Sequence, residues 1–282
     1  MTYFEAEKKG IVALESAMVP NAHFDSQELL LFAADFSKSD YLLHKMDEIP
    51  QDVLEKYEGV IEQRCSRIPL QHIIGVQDFM GLLFEVNEDV LCPRLDTESV
   101  VEQALTLVEN IENPRILDLC TGSGCIAVSL YHYLKKQKKQ VSVTAVDASE
   151  KALNMAKKNA LKHRAYIQFF LGDLFEPLEE GDFDMIISNP PYIPSLVVDG
   201  LMPEVRDHEP RMALDGDEDG LKFYRRISKE AKSFLKKGGI LIFEIGFNQG
   251  KDVGDIMKNN GFYDVTIRKD LAGNDRIAFG HL

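Results

Sequence analysis

From about residue 93 onward, short apolar runs alternate with longer amphipathic stretches, the pattern of strands joined by crossover helices in a parallel sheet. Strands are predicted over Arg115 to Leu119, Val141 to Val146, Tyr166 to Leu171, Asp184 to Ser188, Gly239 to Ile245, Asp264 to Lys269 and Arg276 to Gly280. Helices fill the gaps between the first five, Leu221 to Leu235 among them, and Gln249 to Asn259 links the fifth strand to the sixth. The first 68 residues carry helical periodicity instead. Asp25 and Glu28 have capping-box spacing ahead of Leu29-Leu30-Leu31-Phe32-Ala33-Ala34, and Pro50 opens a helix with Leu54, Tyr57, Ile61 and Cys65 on one face. Between these regions, segments near Phe79 to Leu83 and Phe84 to Leu91 suggest a β-hairpin connector. The expected organisation is therefore a helical domain over 1–68, a hairpin connector over 69–92, and an α/β domain over 93–282. The last is expected to be a doubly wound, seven-stranded, mostly parallel sheet.

Composition narrows the function classes. The chain has 282 residues, 45% of them hydrophobic and 28% charged, as in a soluble globular protein. A formal net charge of −14 argues against a protein that embraces a duplex, because phosphate binding draws on clustered Lys and Arg. Cys65, Cys92, Cys120 and Cys125 form no CxxC pair, and the seven histidines show no ligand spacing, so neither a disulfide framework nor a metal site is expected. The N-terminal residues lack the apolar core of a signal peptide and no apolar run approaches the roughly 20 residues of a membrane span, so a cytoplasmic location is expected. The basic run from Lys135 to Lys139 reads as a solvated helix end.

Ile116-Leu117-Asp118-Leu119-Cys120-Thr121-Gly122-Ser123-Gly124 places a glycine-bearing loop between an apolar strand and an apolar-faced helix, where backbone can approach a ligand at the carboxyl end of a sheet. Val146-Asp147 ends the next strand with a carboxylate, placed to accept hydrogen bonds from both hydroxyls of a ribose. This order of strand, turn, helix and acid suits either a dinucleotide or S-adenosylmethionine. Two features favour the latter. The loop lacks the Gly-x-Gly-x-x-Gly spacing that cradles a pyrophosphate, and Asp173-Leu174 after the third strand could border an adenine. A turn or helix cap explains Asp173 nearly as well.

Asn189-Pro190-Pro191-Tyr192 follows the fourth strand, where such sheets bind ligands. An amide nitrogen is a poor nucleophile because its lone pair is delocalised. Methyl transfer to it needs acceptors that hold the NH2 group and aim the lone pair at the methyl. The Asn189 side-chain oxygen and the Pro190 carbonyl can each accept one N–H, proline rigidity fixes their separation, and Tyr192 offers a flat face for stacking. The plain alternative is an ordinary turn.

These motifs, with Pro93-Arg94-Leu95-Asp96-Thr97-Glu98, Glu204-Val205-Arg206-Asp207-His208-Glu209-Pro210 and Gly273-Asn274-Asp275-Arg276, resemble the peptide chain release factor N5-glutamine methyltransferases over nearly the whole chain. The resemblance implies a Rossmann-like methyltransferase fold and use of S-adenosylmethionine, with S-adenosylhomocysteine as product. The methylated group would be the glutamine of the Gly-Gly-Gln motif in class 1 release factors, gripped in part by the helical domain. It implies that Cys120, Thr121, Gly122, Ser123, Gly124, Asp147, Asp173 and Leu174 bind the cofactor, with Asn189 beside it. Asn189, Pro190, Pro191 and Tyr192 would bind the glutamine amide, and Asn189, Pro190 and Tyr192 would serve catalysis. The expected partners are class 1 release factors, without direct nucleic-acid or membrane contact, for a monomer.

Cys120 departs from the general methyltransferase loop, Asp-x-Gly-x-Gly-x-Gly, which expects glycine there; its Cβ restricts the backbone, and its thiol is either reactive or an inert small hydrophobe. Pro93 and Arg94 are expected at the cofactor entrance, Thr97 and Glu98 as helix caps, and Arg206 and Arg211 as either substrate contacts or solvated loop charges. The same tetrapeptide would suit the exocyclic amine of adenine, so an adenine methyltransferase is the rival enzyme; a cofactor-binding adaptor is the rival without turnover.

Overall fold

Thr2 starts the first helix, α1 (Tyr3–Ser16), with a reciprocal capping box in which its hydroxyl accepts from Glu5 N at 3.2 Å and its own N–H donates to the Glu5 carboxylate at 2.9 Å. The structure, a computed structural model, describes residues 1–179, 181–270 and 272–282. They form two units, Met1–Val76 with Met202–His208, and Gln77–Leu201 with Glu209–Leu282. The first holds α1, α2 (Ala22–Ala34), α3 (Lys38–His44), α4 (Gln51–Cys65) and α5 (Leu70–Ile74). Leu14, Leu29, Leu30 and Tyr57 are buried at its centre. Gly10 admits this packing, since a Cβ there would collide with the Tyr57 hydroxyl, which is hydrogen-bonded to Ser26 at 2.7 Å.

Asp25 is not a helix cap, contrary to its sequence spacing. α2 begins three residues earlier, after Asn21, and Asp25 lies buried inside it. Its partner is Arg64 of α4, whose Nε donates to it at 2.7 Å. Arg64 also donates to Glu204 at 2.9 Å, and Arg67 grips the same carboxylate at 2.8 and 2.6 Å. Burial alone would raise the Glu204 pKa, but the hydrogen bonds from Arg67 and Arg64 bring it down to about 2. The Arg64 and Asp25 side chains are 6% and 7% exposed, so neither charge has water as an alternative partner. Arg64→Ala is therefore expected to destabilise the first unit by about 3–5 kcal/mol, because it strands the buried Asp25 carboxylate while Glu204 keeps Arg67. Chemical denaturation checks this, and a loss under about 1 kcal/mol would show that water replaces the guanidinium.

The second unit opens with a hairpin of β1 (Val76–Phe79) and β2 (Leu82–Glu85). Met80 and Gly81, both at positive φ, form its two-residue turn, so Phe79 to Leu83 spans the turn and is not one strand. Then follow α6 (Leu95–Leu107), β3 (Arg115–Leu119), α7 (Cys125–Lys136), β4 (Ser142–Asp147), α8 (Glu150–Lys162), β5 (Ile167–Leu171) and β6 (Phe183–Ser188). After β6 come three one-turn helices, α9 (Ser195–Val198), α10 (Pro203–Arg206, part of the first unit) and α11 (Arg211–Leu214). The chain closes with α12 (Lys222–Glu230), β7 (Leu235–Glu244), α13 (Gly250–Asn259), β8 (Tyr263–Lys269) and β9 (Asp275–His281). The helix predicted to reach Leu235 stops at Glu230, because Leu235 already pairs with Phe183, ahead of a register shift in the ladder. The last lysine of the 135–139 run is not simply solvated; the Lys139 ammonium donates to the carbonyls of Val108 and Ile111, at 3.1 and 2.7 Å, beyond the end of α6.

The sheet order is β5-β4-β3-β6-β7-β9-β8, parallel except for β9, which runs antiparallel to β7 and β8. Apolar residues alternate between its two faces: Ile116, Ile240 and Ile242 join one core, Leu117, Leu119, Leu241 and Phe243 the other. The winding reverses between β3 and β6, which opens a crevice at their carboxyl ends, the place where open α/β sheets bind ligands.

Candidate functional site

At that crevice lies a concave cleft, the kind of place where small molecules bind. Its walls come from the ends of β3, β4 and β6 and from the loops after β2 and β5. Of the expected site residues, Cys120, Thr121, Gly122, Ser123, Asp147, Asp173, Leu174, Asn189 and Pro191 line it. Gly124, Pro190 and Tyr192 are not among the lining residues.

The loop after β3 is held from below. Asp118 is fully buried; its Oδ2 accepts from the Thr121 hydroxyl at 2.6 Å, and burial pushes its pKa up to about 7. Cys120 takes a left-handed conformation with φ 60, the backbone that a glycine would adopt freely. Leu174, on the cleft wall, is also left-handed at φ 53. Burial pushes the Cys120 thiol well up, which favours the inert reading over a reactive one. Gly124 serves packing: a Cβ there would stand 3.0 Å from the Ala156 Cβ of α8, so its lack of a side chain lets the loop approach that helix.

Asp147 closes the loop from β4, its two oxygens accepting from Gly122 N at 2.8 Å and Ser149 N at 2.9 Å. Burial raises the Asp147 pKa, opposed by these backbone hydrogen bonds. A Cβ built on Gly122 would meet nothing within 4 Å, so the space above this loop is open. An open glycine, a carboxylate beside it and apolar walls at Leu174 and Phe223 suit a nucleoside, and the acids suit a cationic group. The expected cofactor fits these residues. Asp173 is engaged by Arg226, its carboxylate accepting from Nη1 at 2.9 Å, and does not cap a helix.

Pro93 and Arg94 both line the cleft, as expected at its entrance, and Arg94 grips the buried Glu209 carboxylate through both oxygens at 2.7 Å. Arg206 pairs with Asp207 and Arg211 with Asp199, so these loop charges have partners within the chain.

Asn189 follows the last residue of β6, half-buried on the cleft wall. Its amide nitrogen donates to the Thr97 hydroxyl oxygen at 3.4 Å. Thr97 and Glu98 do not cap α6, which starts at Leu95 after Arg94. Glu98 accepts from Met80 N in the hairpin turn, and Thr97 donates to Glu244 at 2.6 Å. Tyr192 packs on the second core. Its carbonyl accepts from the Gln249 amide at 3.0 Å, and Gly220 at φ 73 passes so close that a Cβ would strike that carbonyl. Burial pushes the Glu244 pKa up to about 7, while Thr97 and Arg276 oppose the rise.

Sequence reasoning passed over Glu244 and Gln249. Glu244 carried a signal: it continues the alternation Ile240, Ile242 at a position where a third apolar residue belongs.

The methyltransferase small domain family matches residues 97–201, and the PrmC N-terminal domain family matches residues 5–75. The chain is 40% identical over 264 residues to the release factor glutamine methyltransferase of Geobacter sulfurreducens, covering 94% of this chain and 91% of that protein. Its counterpart in Fusobacterium nucleatum is 39% identical over 272 residues, covering 95% and 76%. A solved methyltransferase from Pyrococcus furiosus shares the fold at a TM-score of 0.51 and 18% identity, covering 78% of this chain and 98% of that one.

Proposed function

The chain belongs to the release factor glutamine methyltransferase family, and from this premise we propose that its cleft binds S-adenosylmethionine and transfers the methyl group to a glutamine side-chain amide. The acceptor is N5 of the glutamine in the Gly-Gly-Gln motif of class 1 peptide chain release factors, and the modification modulates translation termination. The observation that carries this reading is Asn189 on the wall of the same cleft whose floor is the Gly122–Asp147 loop.

When bound, S-adenosylmethionine supplies an electrophilic methyl on a sulfonium. Asp147, beside the open Gly122, would hold the ribose, and Asp173 with Leu174 would border the adenine. The Asn189 Oδ1 on the cleft wall accepts an N–H of the glutamine amide, which orients the nitrogen lone pair, while Pro190 and Tyr192, which do not line the cleft, stiffen the segment behind Asn189. No base acts before transfer, since the nitrogen becomes acidic only as it is alkylated; the N–H proton is then lost to water as the methylated amide leaves, and S-adenosylhomocysteine is the other product. Catalysis comes from orientation and exclusion of water. The protein acts as a cytoplasmic monomer without direct contact with nucleic acid.

Purified protein is incubated with labelled S-adenosylmethionine, a class 1 release factor, the same factor with its Gly-Gly-Gln glutamine replaced, and unmethylated DNA and RNA. Label on the intact factor alone is expected. Label on nucleic acid would replace this reading with adenine methylation, and cofactor binding without label on any of them would point to an adaptor.

A further inference from the structure

Strand β7 sends Ile240 and Ile242 into the core beneath α6, and its next inward residue is Glu244, 2% exposed. On the facing helix, Val100, Val101 and Ala104 continue the same contact, and Thr97 stands at its end. An apolar residue would complete either stripe without the desolvation that a buried carboxylate suffers. The two polar residues meet each other, Thr97 Oγ1 donating to Glu244 at 2.6 Å.

That bond settles which way Asn189 points. A hydroxyl has one proton, and with Glu244 in its carboxylate form the Thr97 proton is committed to it. Toward Asn189, Thr97 presents only lone pairs, so it accepts from Nδ2, at 3.4 Å. At that length the bond is weak, but its selectivity is strong: a flipped amide would set Oδ1 against the same lone pairs. With Nδ2 turned to Thr97, Oδ1 is left for the substrate.

We propose that Glu244 is a positioning residue that acts through Thr97 to fix the side-chain amide of Asn189 with its oxygen toward the acceptor nitrogen. This rests on the glutamine-methylation reading for its effect on turnover, though not for the orientation itself.

The test uses the full chain with Glu244→Gln, Thr97→Val and Thr97→Ser. Glutamine at 244 can donate to Thr97 and free its proton for Asn189, valine removes the acceptor, and serine keeps it. We expect kcat to fall about 10- to 100-fold in Glu244→Gln and Thr97→Val, the scale seen when partners behind a functional ligand are removed. The dissociation constant for S-adenosylmethionine should stay close to wild type, and Thr97→Ser should retain most turnover. Independently of activity, the Asn189 side-chain NH2 signal in the ¹⁵N spectrum, assigned by its loss in Asn189→Asp, should shift in Glu244→Gln and Thr97→Val but not in Thr97→Ser. Wild-type turnover and an unmoved signal in Thr97→Val would overturn the proposal, as would an equal loss in Thr97→Ser. If the wild-type protein leaves the release factor unlabelled while the signal shifts as expected, the function reading falls and the positioning role stands.

Discussion

Replacing Asn189 with alanine is expected to lower kcat by about 10²–10³-fold, the scale of removing one preorganised polar group from a transition-state site, while cofactor affinity stays close to wild type. The split follows from where Asn189 stands. It sits after β6 on the cleft wall, and none of its hydrogen bonds supports the Gly122–Asp147 loop on the other side of the switch point. Its amide oxygen is assigned to the substrate, so its loss leaves the glutamine NH2 with one acceptor fewer and its lone pair free to turn away from the methyl. Single-turnover rates with saturating S-adenosylmethionine, beside calorimetric titration of the cofactor, separate the two quantities. A near wild-type rate would remove Asn189 from the acceptor site, whereas an equal loss in affinity would make it a cofactor residue.

The second large effect is expected at Asp147, on binding. Asp147→Ala should weaken S-adenosylmethionine by about 1.5–3 kcal/mol, roughly 10- to 140-fold in dissociation constant, if a hydrogen bond to a charged acceptor is lost. Part of that loss is indirect, because the carboxylate also receives Gly122 N at 2.8 Å and Ser149 N at 2.9 Å and so shapes the floor on which the ligand lies. Asp147→Asn keeps the size of the side chain and one acceptor oxygen, so it should fall between wild type and alanine. Titration calorimetry with both variants checks this, and an unchanged dissociation constant in Asp147→Ala would take the residue out of the site.

Much of the α/β unit was legible because parallel strands are buried on both faces and read as continuous apolar runs. Arg115–Leu119 falls where the pattern put it, and β4, β5, β6, β8 and β9 fall within a residue or so. The start of β7 did not, since its first residues, Leu235-Lys236-Lys237, look like a helix end and become a strand only by pairing with β6. The motif loops were legible for a related reason: a ligand site at strand ends is built from consecutive residues, so Thr121, Gly122 and Asp147 announce themselves in the sequence. Not every member of a motif does the same work, however. Gly124 proved to serve α8, and Thr97 to serve Glu244 in place of a helix end.

What the sequence determined by itself, then, was the set of groups formed by near neighbours: the periodicity of each element, the glycine-bearing loop after β3 with the acid that ends β4, and the Asn-Pro-Pro-Tyr segment. What only the tertiary structure decided were the pairings of distant residues, Asp25 with Arg64 and Glu204, Arg94 with Glu209, and Glu244 with Thr97. Local propensity carries no term for a partner that lies up to 147 positions away, as Glu244 does from Thr97. A buried charge shows in a sequence only as a break in an apolar pattern, and the identity of the group that answers it is settled by packing.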